Sequence, residues 1–480
     1  MHSNEQCPTA SVATTTRRNR RILVITGDPV GERMAGPAIR AWHIAAELAA
    51  EHDVRLVSTN GVTVRDAPFE VAEVSHHVPS TMNRHEEWAD IIVLQGHALA
   101  LFPVLERSQK VLVVDIYDPI HLEQLEQGRG LTIEHWTSQV FDATMALNHQ
   151  LALGDFFLCA SERQRLFWLG QLAAVGRVNP LTYLQDADLA RLLTVAPFGI
   201  PAAEPEHTRN AVKGVIPGIG VDDKLVIWAG GIYNWFDPET LIRSIAAVAK
   251  RHDDVRLLFM GVAHPNPDVP EMDVVGRSLA LAAELGVLGT HVFFNEQWVE
   301  YADRQNYLLE ADAGVSTHFQ HIETTFSFRT RILDYLWAGL PIVTTDGDAF
   351  AELVAAKGLG GVVPDSDVEA LAAALESVLY DDAVHAAAAA NVTRAREAFR
   401  WERTLAGLTE FCRNAGHAAD RSGTGRAVGA SLIMRRQAPA GWRRDLERVV
   451  HHLRVGGPRA AAAKTWQRLE RKVGVRRSNS

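Results

Sequence analysis

Apolar runs of four to six residues recur along this chain, each followed by a glycine-bearing or polar turn and then a helical stretch. This alternation constrains the fold more than any other feature. Arg21-Ile22-Leu23-Val24-Ile25-Thr26 reads as a buried parallel strand, and the loop behind it holds Gly27, Gly31 and Gly36. Pro37 starts a helix with Ile39, Trp42, Ala46 and Ala49 on one face, and Val54 to Ser58 supplies the next strand. The pattern returns at Ile91 to Leu94, Val111 to Val114 and Phe156 to Cys159. A second series follows at Leu225 to Ala229, a helix from Pro238 capped by Asp237, Val255 to Met260, His291 to Phe294, Ala313 to Ser316 and Pro341 to Thr344. Two such series predict an α/β protein of two Rossmann-like domains facing a cleft, with ligands at the carboxyl ends of the strands. The first loop lacks G-x-G-x-x-G, so a dinucleotide fingerprint is not present.

A polar, Gly- and Pro-rich stretch between the two series reads as a linker. The expected organisation is a disordered arm at 1–20, a first domain at 21–205, a linker at 206–222 and a second domain at 223–395. A helix over 396–415 and a basic tail at 416–480 follow. Cys7, Cys159 and Cys412 are too few and too scattered for a disulfide framework or a thiolate metal site, which favours a reducing compartment. No run approaches the about 18 apolar residues of a membrane span, and the opening residues have no apolar core resembling a signal peptide, so the cytoplasm is the expected location. Residues 416–480 carry 15 Lys and Arg against 4 Asp and Glu, while the remaining body has a net charge of -21. An acidic body argues against nucleic acid as a partner. The tail, with Trp442, Leu446, Val449 and Leu453 on one helical face, fits an anionic membrane surface at the inner face of the cell membrane or, equally, the acidic body of the same chain.

The block from Thr325 to Thr345 reads as a polar turn, a helix and a strand. A helix over Phe328 to Trp337 would offer its free N-terminal N–H groups to an anion, with Arg329 and Arg331 adding charge. Asp334, one turn beyond Thr330, is placed to accept hydrogen bonds from the two hydroxyls of a ribose. An anion receptor beside a diol acceptor suits a nucleoside diphosphate. The same residues also suit a helix packed on a sheet with solvated arginines.

Taken together, the glycine loop before Pro37-Ala38-Ile39-Arg40, the strand end Cys159-Ala160-Ser161-Glu162, Pro197-Phe198-Gly199, Trp228-Ala229-Gly230-Gly231 and the block Leu333 to Pro341 resemble the GT-B glycosyltransferases, specifically the GT4 group. The resemblance covers roughly residues 21–412. It implies a nucleotide-sugar donor, a C-terminal helix from Phe399-Arg400-Trp401 crossing back onto the first domain, and retention of anomeric configuration. It also implies donor contacts at Gly231, Asn234, Ser327, Phe328, Arg329, Arg331 and Asp334, and an acceptor loop at Gly36 and Arg40. Two departures stand out. The family's second glutamate falls on Asp334 and its first on Phe326, leaving Glu323 as the nearest carboxylate. A basic pair usual after the Gly-Gly strand end is replaced by Ile232-Tyr233-Asn234-Trp235.

At the first-domain strand ends, His97 faces donor or acceptor sugar, or is satisfied by local backbone. Asp118 and His121 are candidates to orient the acceptor hydroxyl or act as general base, and Asp118 before Pro119 also suits a cap. Glu323 is expected to bind donor-sugar hydroxyls. His318, His321 and Glu323 lack a fourth ligand, and the D-x-D triplets at Asp186, Asp346 and Asp365 read as loops or helix caps, so no metal and no cofactor is expected. The chain is therefore expected to move a hexose or deoxyhexose from a nucleoside diphosphate sugar to a glycan or lipid-linked acceptor, without a metal, in cell-envelope polysaccharide synthesis. The same fold also serves sugar-nucleotide epimerases, and a non-catalytic subunit of a glycan assembly complex would account for the missing glutamate.

Overall fold

A computed structural model describes residues 19–262 and 273–421. The expected arm and the basic, membrane-facing tail lie outside these residues, apart from their ends next to the domains. Seven strands form the first sheet: β1 (Arg21–Thr26), β2 (Asp53–Ser58), β3 (Glu70–Glu73), β4 (Ile91–Gln95), β5 (Val111–Asp115), β6 (Phe156–Cys159) and β7 (Leu193–Val195), in the order β3-β2-β1-β4-β5-β6-β7. Six form the second: β8 (Lys224–Trp228), β9 (Val255–Phe259), β10 (Val292–Phe294), β11 (Ala313–Ser316), β12 (Ile342–Thr345) and β13 (Gly360–Val363), in the order β10-β9-β8-β11-β12-β13. All the strand pairings are parallel. Ile22 to Ile25 and Leu225 to Trp228 are completely buried, because helices cover both faces of a parallel sheet.

In each sheet the order reverses beside the first strand, between β1 and β4 and between β8 and β11. A doubly wound sheet leaves a crevice outside the carboxyl ends of the strands at that point. Both crevices open onto the space between the domains, and this places the site. The short strands β3, β7 and β13, with sequences EVAE, LTV and GGVV, are additions to the expected pattern.

The segment 206–222 packs on the second domain. Ala211, Val212 and Ile219 are buried with Leu225, Leu258 and Phe293. The Glu310 carboxylate accepts the backbone N–H groups of Ala211, Val212 and Lys213. From the second domain the chain returns to the first through Trp401–Thr404 and Ala406–Arg413, two short helices broken at Leu405 where a single helix was expected. Ile200 and the returning chain exchange backbone hydrogen bonds, Ile200 N–H to Phe399 O at 2.7 Å and Trp401 N–H to Ile200 O at 3.2 Å. Arg413 pairs with Glu51 at 2.7 Å. Beyond it, Asp420 accepts a double hydrogen bond from the buried Arg177 at 2.8 and 3.1 Å.

Gly199 is the tightest point of this return. A Cβ there would lie 2.5 Å from the Trp401 ring and 2.8 Å from its Cα, so the ring and the backbone must both move. Gly199→Ala is therefore expected to lower the unfolding free energy by about 1–3 kcal/mol through overpacking. Urea denaturation followed by tryptophan fluorescence measures it, and an unchanged midpoint contradicts the packing described.

Candidate active site

A cavity of about 370 Å³ lies between the domains. Asp28, Gly36, Tyr117, Asp118 and Glu123 line it from the first domain, and Gly230, Gly231, Glu323, Arg329, Arg331 and Asp334 from the second. Two sets of contacts bridge the domains around it. Trp298 Nε1 donates to Met34 O at 3.2 Å and Tyr301 N–H to Glu32 O at 2.8 Å. Gln164 Nε2 donates to Phe326 O and Arg163 Nη1 to Gly347 O, at 2.7 and 2.6 Å.

The second-domain wall is set by Tyr335. Its fully buried hydroxyl accepts Ala229 N–H at 3.0 Å and sits 2.8 Å from Val315 O, tying the helix Arg331–Ala338 to the ends of β8 and β11. The ring fits because position 314 is glycine: a Cβ there would be 2.3 Å from it. One turn before Tyr335 on the same helix, Arg331 faces the end of β8. Its Nη2 donates to Gly231 O at 2.8 Å and its guanidinium lies 4.0 and 4.1 Å from the centroids of Trp228 and Phe236. Burial lowers the Arg331 pKa to about 10, so it remains a cation at neutral pH. Its Nη1 is buried without a hydrogen-bond partner.

The other two arginines of the cavity are already paired. Arg329 binds Glu323 through two hydrogen bonds of 2.9 and 2.7 Å, and Arg304 Nε contacts Asp334 Oδ1 at 3.1 Å. The expectation of two available charges at positions 329 and 331 is therefore corrected to one, Arg331. The helix also begins at Arg331 and not at Phe328, after the short helix Ile322–Phe326. Phe328 instead packs between Phe198 and Phe350, and the N–H groups of Ile332 and Leu333 are spent on Arg329 O and Thr330 O. The N–H groups of Ile332 and Leu333 are therefore not free to form the expected anion receptor. Ser327 lines the cavity while its hydroxyl donates to Thr324 O at 3.1 Å.

Among the described residues, four carboxyl groups gather around Arg329: Glu323, Asp348, Asp118 and Glu123. Asp118, half-buried in the cleft wall, is pushed up to about 7 by burial, with Glu323 adding to the shift and Arg329 opposing it. Glu123 is held well above the usual carboxylate range by burial and then by Asp118 and Glu323. It was not foreseen, because in Ile120-His121-Leu122-Glu123-Gln124 it looks like one more polar residue of a helix face. Asp28, Tyr301 and Arg304 were missed as well; only Asp28, which follows Gly27 at the end of β1, carried a signal.

Three other expectations are corrected. Arg40 does not reach an acceptor: it is completely buried, bound to Asp115 at 2.6 and 2.8 Å and to Ala196 O at 2.8 Å. His121 turns away from the cleft to pack on Phe167 and Trp168, and burial lowers its pKa to about 4. Asn234 accepts Val274 N–H at 3.2 Å and does not line the cavity. His97 lines a second cavity of about 470 Å³, which meets the first at Asp28, Pro37, Tyr117 and Asp118. Asp348 and Asp367 cap the helices Ala349–Lys357 and Val368–Tyr380, and His321 caps Ile322–Phe326.

Because the folded Asp118 holds its proton up to about 7 while an unfolded aspartate releases it near pH 4, the folded state binds more protons across that window. Stability contributed at this site is present below about pH 4 and declines as pH rises to about 7. Asp118→Asn is expected to flatten that decline in urea unfolding measured at several pH values. An identical slope in variant and parent would contradict the placement.

Residues 223–381 match the family model described as Glycosyl transferases group 1. D-inositol 3-phosphate glycosyltransferase from Saccharomonospora viridis is 24% identical over 317 residues, covering 62% of this chain and 70% of that protein. Phosphatidyl-myo-inositol mannosyltransferase from Mycolicibacterium smegmatis is 31% identical over 137 residues, 28% of this chain and 34% of that protein. Among solved structures, Anabaena HepE in complex with UDP-glucose superimposes with a TM-score of 0.61 at 16% identity, over 82% of this chain and 100% of that one. WaaG, a glycosyltransferase involved in lipopolysaccharide biosynthesis, gives 0.59 at 17% identity over the same shares. With two Rossmann-like domains facing a cleft, the chain has the GT-B fold, and its second domain matches the group 1 glycosyltransferase family.

Proposed function

We propose that this chain transfers a hexose or deoxyhexose from a nucleoside diphosphate sugar to a glycan or lipid-linked acceptor in cell-envelope synthesis. The observation that carries this reading is Arg331, a buried cation at the end of β8 that lines the cleft and has no carboxylate partner among the described residues. A buried guanidinium without a counter-ion is costly unless an anion joins it. The diphosphate supplies that anion, and the left-handed Gly230, at φ 97°, lets backbone rather than side chain border the same space. Asp334, with Arg304 on one carboxylate oxygen, offers the other to the ribose hydroxyls. The names of the two curated relatives and the UDP-glucose bound to HepE support the same substrate class.

Negative charge grows on the departing diphosphate as the glycosidic bond breaks, and a fixed cation stabilises that change more than it stabilises the ground state. Arg331 fills this role, so the reaction runs without a metal. Glu323 keeps lone pairs for donor-sugar hydroxyls while it holds Arg329. Asp118, where the two cavities meet, takes the position beside the attacking hydroxyl. The configuration at the anomeric carbon is retained, as in the GT4 enzymes the sequence resembles.

Isothermal titration with UDP, GDP and ADP tests the donor site. At least one should bind, equally well in EDTA. Loss of one charge-assisted hydrogen bond is worth about 1.5–3 kcal/mol, so Arg331→Gln and Asp334→Asn should each weaken binding roughly ten- to hundredfold with unchanged circular dichroism. Unaltered affinity in both variants would remove the donor from this cleft, and loss of binding in EDTA would bring a metal into the account.

A further inference from the structure

The second cavity points to the chemistry of the acceptor. Resting on the functional reading above, we infer that it holds an unphosphorylated polyhydroxylated ring, a sugar or cyclitol unit bearing no phosphate at the part that enters. Its volume of about 470 Å³ falls in the range of small-molecule sites. It opens at the ends of β1, β4 and β5, where the chain presents Asp28, Gln95, His97 and Asp115, with Asn60 and Gln150 completing the polar wall. Gly96 there is left-handed at φ 58°, and a Cβ on it would meet nothing within 4 Å, so the strand end leaves the space open. Gln150 holds it in place by donating to Gly96 O.

These groups are carboxylates, amides and the imidazole of His97, and the imidazole of His76 lines the cavity as well. Hydroxyl groups satisfy them in both directions, since a sugar hydroxyl donates to a carboxylate and accepts from an amide N–H. No lysine or arginine lines the cavity among the described residues. Arg40 stands behind the wall, but it is completely buried and bound at once to both Asp115 oxygens and to Ala196 O, so its charge is spent on Asp115. An ordinary imidazole is mostly neutral at pH 7. A phosphate monoester entering here would meet no lysine or arginine among the described lining residues, and a site without a facing cation selects against that ligand. Arg331 in the first cavity and the absence of lysine and arginine from the described lining of the second therefore sort the substrates by charge, the diphosphate to Arg331 and the neutral ring to the first domain.

The test uses the full chain saturated with the nucleotide that binds best in calorimetry. Acceptor probes are matched pairs differing by one phosphate, methyl mannoside and its 6-phosphate, methyl glucoside and its 6-phosphate, and myo-inositol and its 3-phosphate, together with an array of uncharged oligosaccharides, read by ligand-observed NMR. At least one uncharged probe is expected to bind, its phosphorylated partner at least about tenfold more weakly. The exposed His97, changed to leucine, should weaken the uncharged probe while leaving nucleotide affinity unaltered. A phosphorylated partner that binds as well or better, or an array with no uncharged binder, overturns the inference while intact nucleotide binding leaves the donor reading standing. Absence of nucleotide binding in the same samples is the separate failure of that reading.

Discussion

The hydroxyl of Tyr335 is the contact on which the geometry of the site depends. It joins one helix to two strands at the point where the second sheet reverses its order, accepting from Ala229 and lying within hydrogen-bond distance of both Val315 O and Ile227 O. A hydroxyl has one proton, so it donates to one of these carbonyls at a time, and the shorter contact is to Val315. Because Arg331 and Asp334 sit four and one residues earlier on the same short helix, fixing Tyr335 fixes their direction into the cleft. Gly314 belongs to the same device, since any side chain there would occupy the ring's place.

Charge organisation follows from that frame. Among the described residues, five carboxyl groups line the cleft against three arginines, and their pairing is selective. Arg304 holds Asp334, Arg329 holds Glu323, and Arg40 holds Asp115, each at hydrogen-bond distance. The pairs anchor carboxylates that face ligand space, and they leave Arg331 as the cation for an anionic ligand. On the opposite wall burial, and after it the charge of neighbouring carboxylates, raises the Asp118 and Glu123 carboxyls above the usual range against the opposing effect of Arg329. One wall thus suits a leaving diphosphate and the other a hydroxyl nucleophile.

Much of the fold was legible in the sequence because buried parallel strands are written as continuous apolar runs. Phe156 to Cys159 and Ala313 to Ser316 coincide with β6 and β11, and Asp237 does cap the helix from Pro238. Strands β3, β7 and β13 were hidden because edge positions, or glycine pairs, remove the apolar run that marks a strand. The helix after Phe328 was misplaced by three residues, since an aromatic pocket formed by Phe198 and Phe350 captures that side chain and no local pattern announces it. Spatial pairing was the least legible layer: nothing in sequence joins Arg304 to Asp334 across thirty residues, or shows that Arg40 would be enclosed by the β5 end. Asp334 and Arg331 were legible as cleft residues because they share one helix with a glycine-ended, strand-preceding block.

The proposed function requires a nucleoside diphosphate at Arg331 with its ribose on Asp334. A crystal structure of the chain with bound UDP or GDP measures this most directly. Diphosphate oxygens are expected within hydrogen-bond distance of the Arg331 guanidinium, bordered by Gly230 and Gly231, with both ribose hydroxyls at the Asp334 carboxylate. A nucleotide bound elsewhere, or one held by a metal ion with Arg331 still facing only Gly231 and the two aromatic rings, would contradict it.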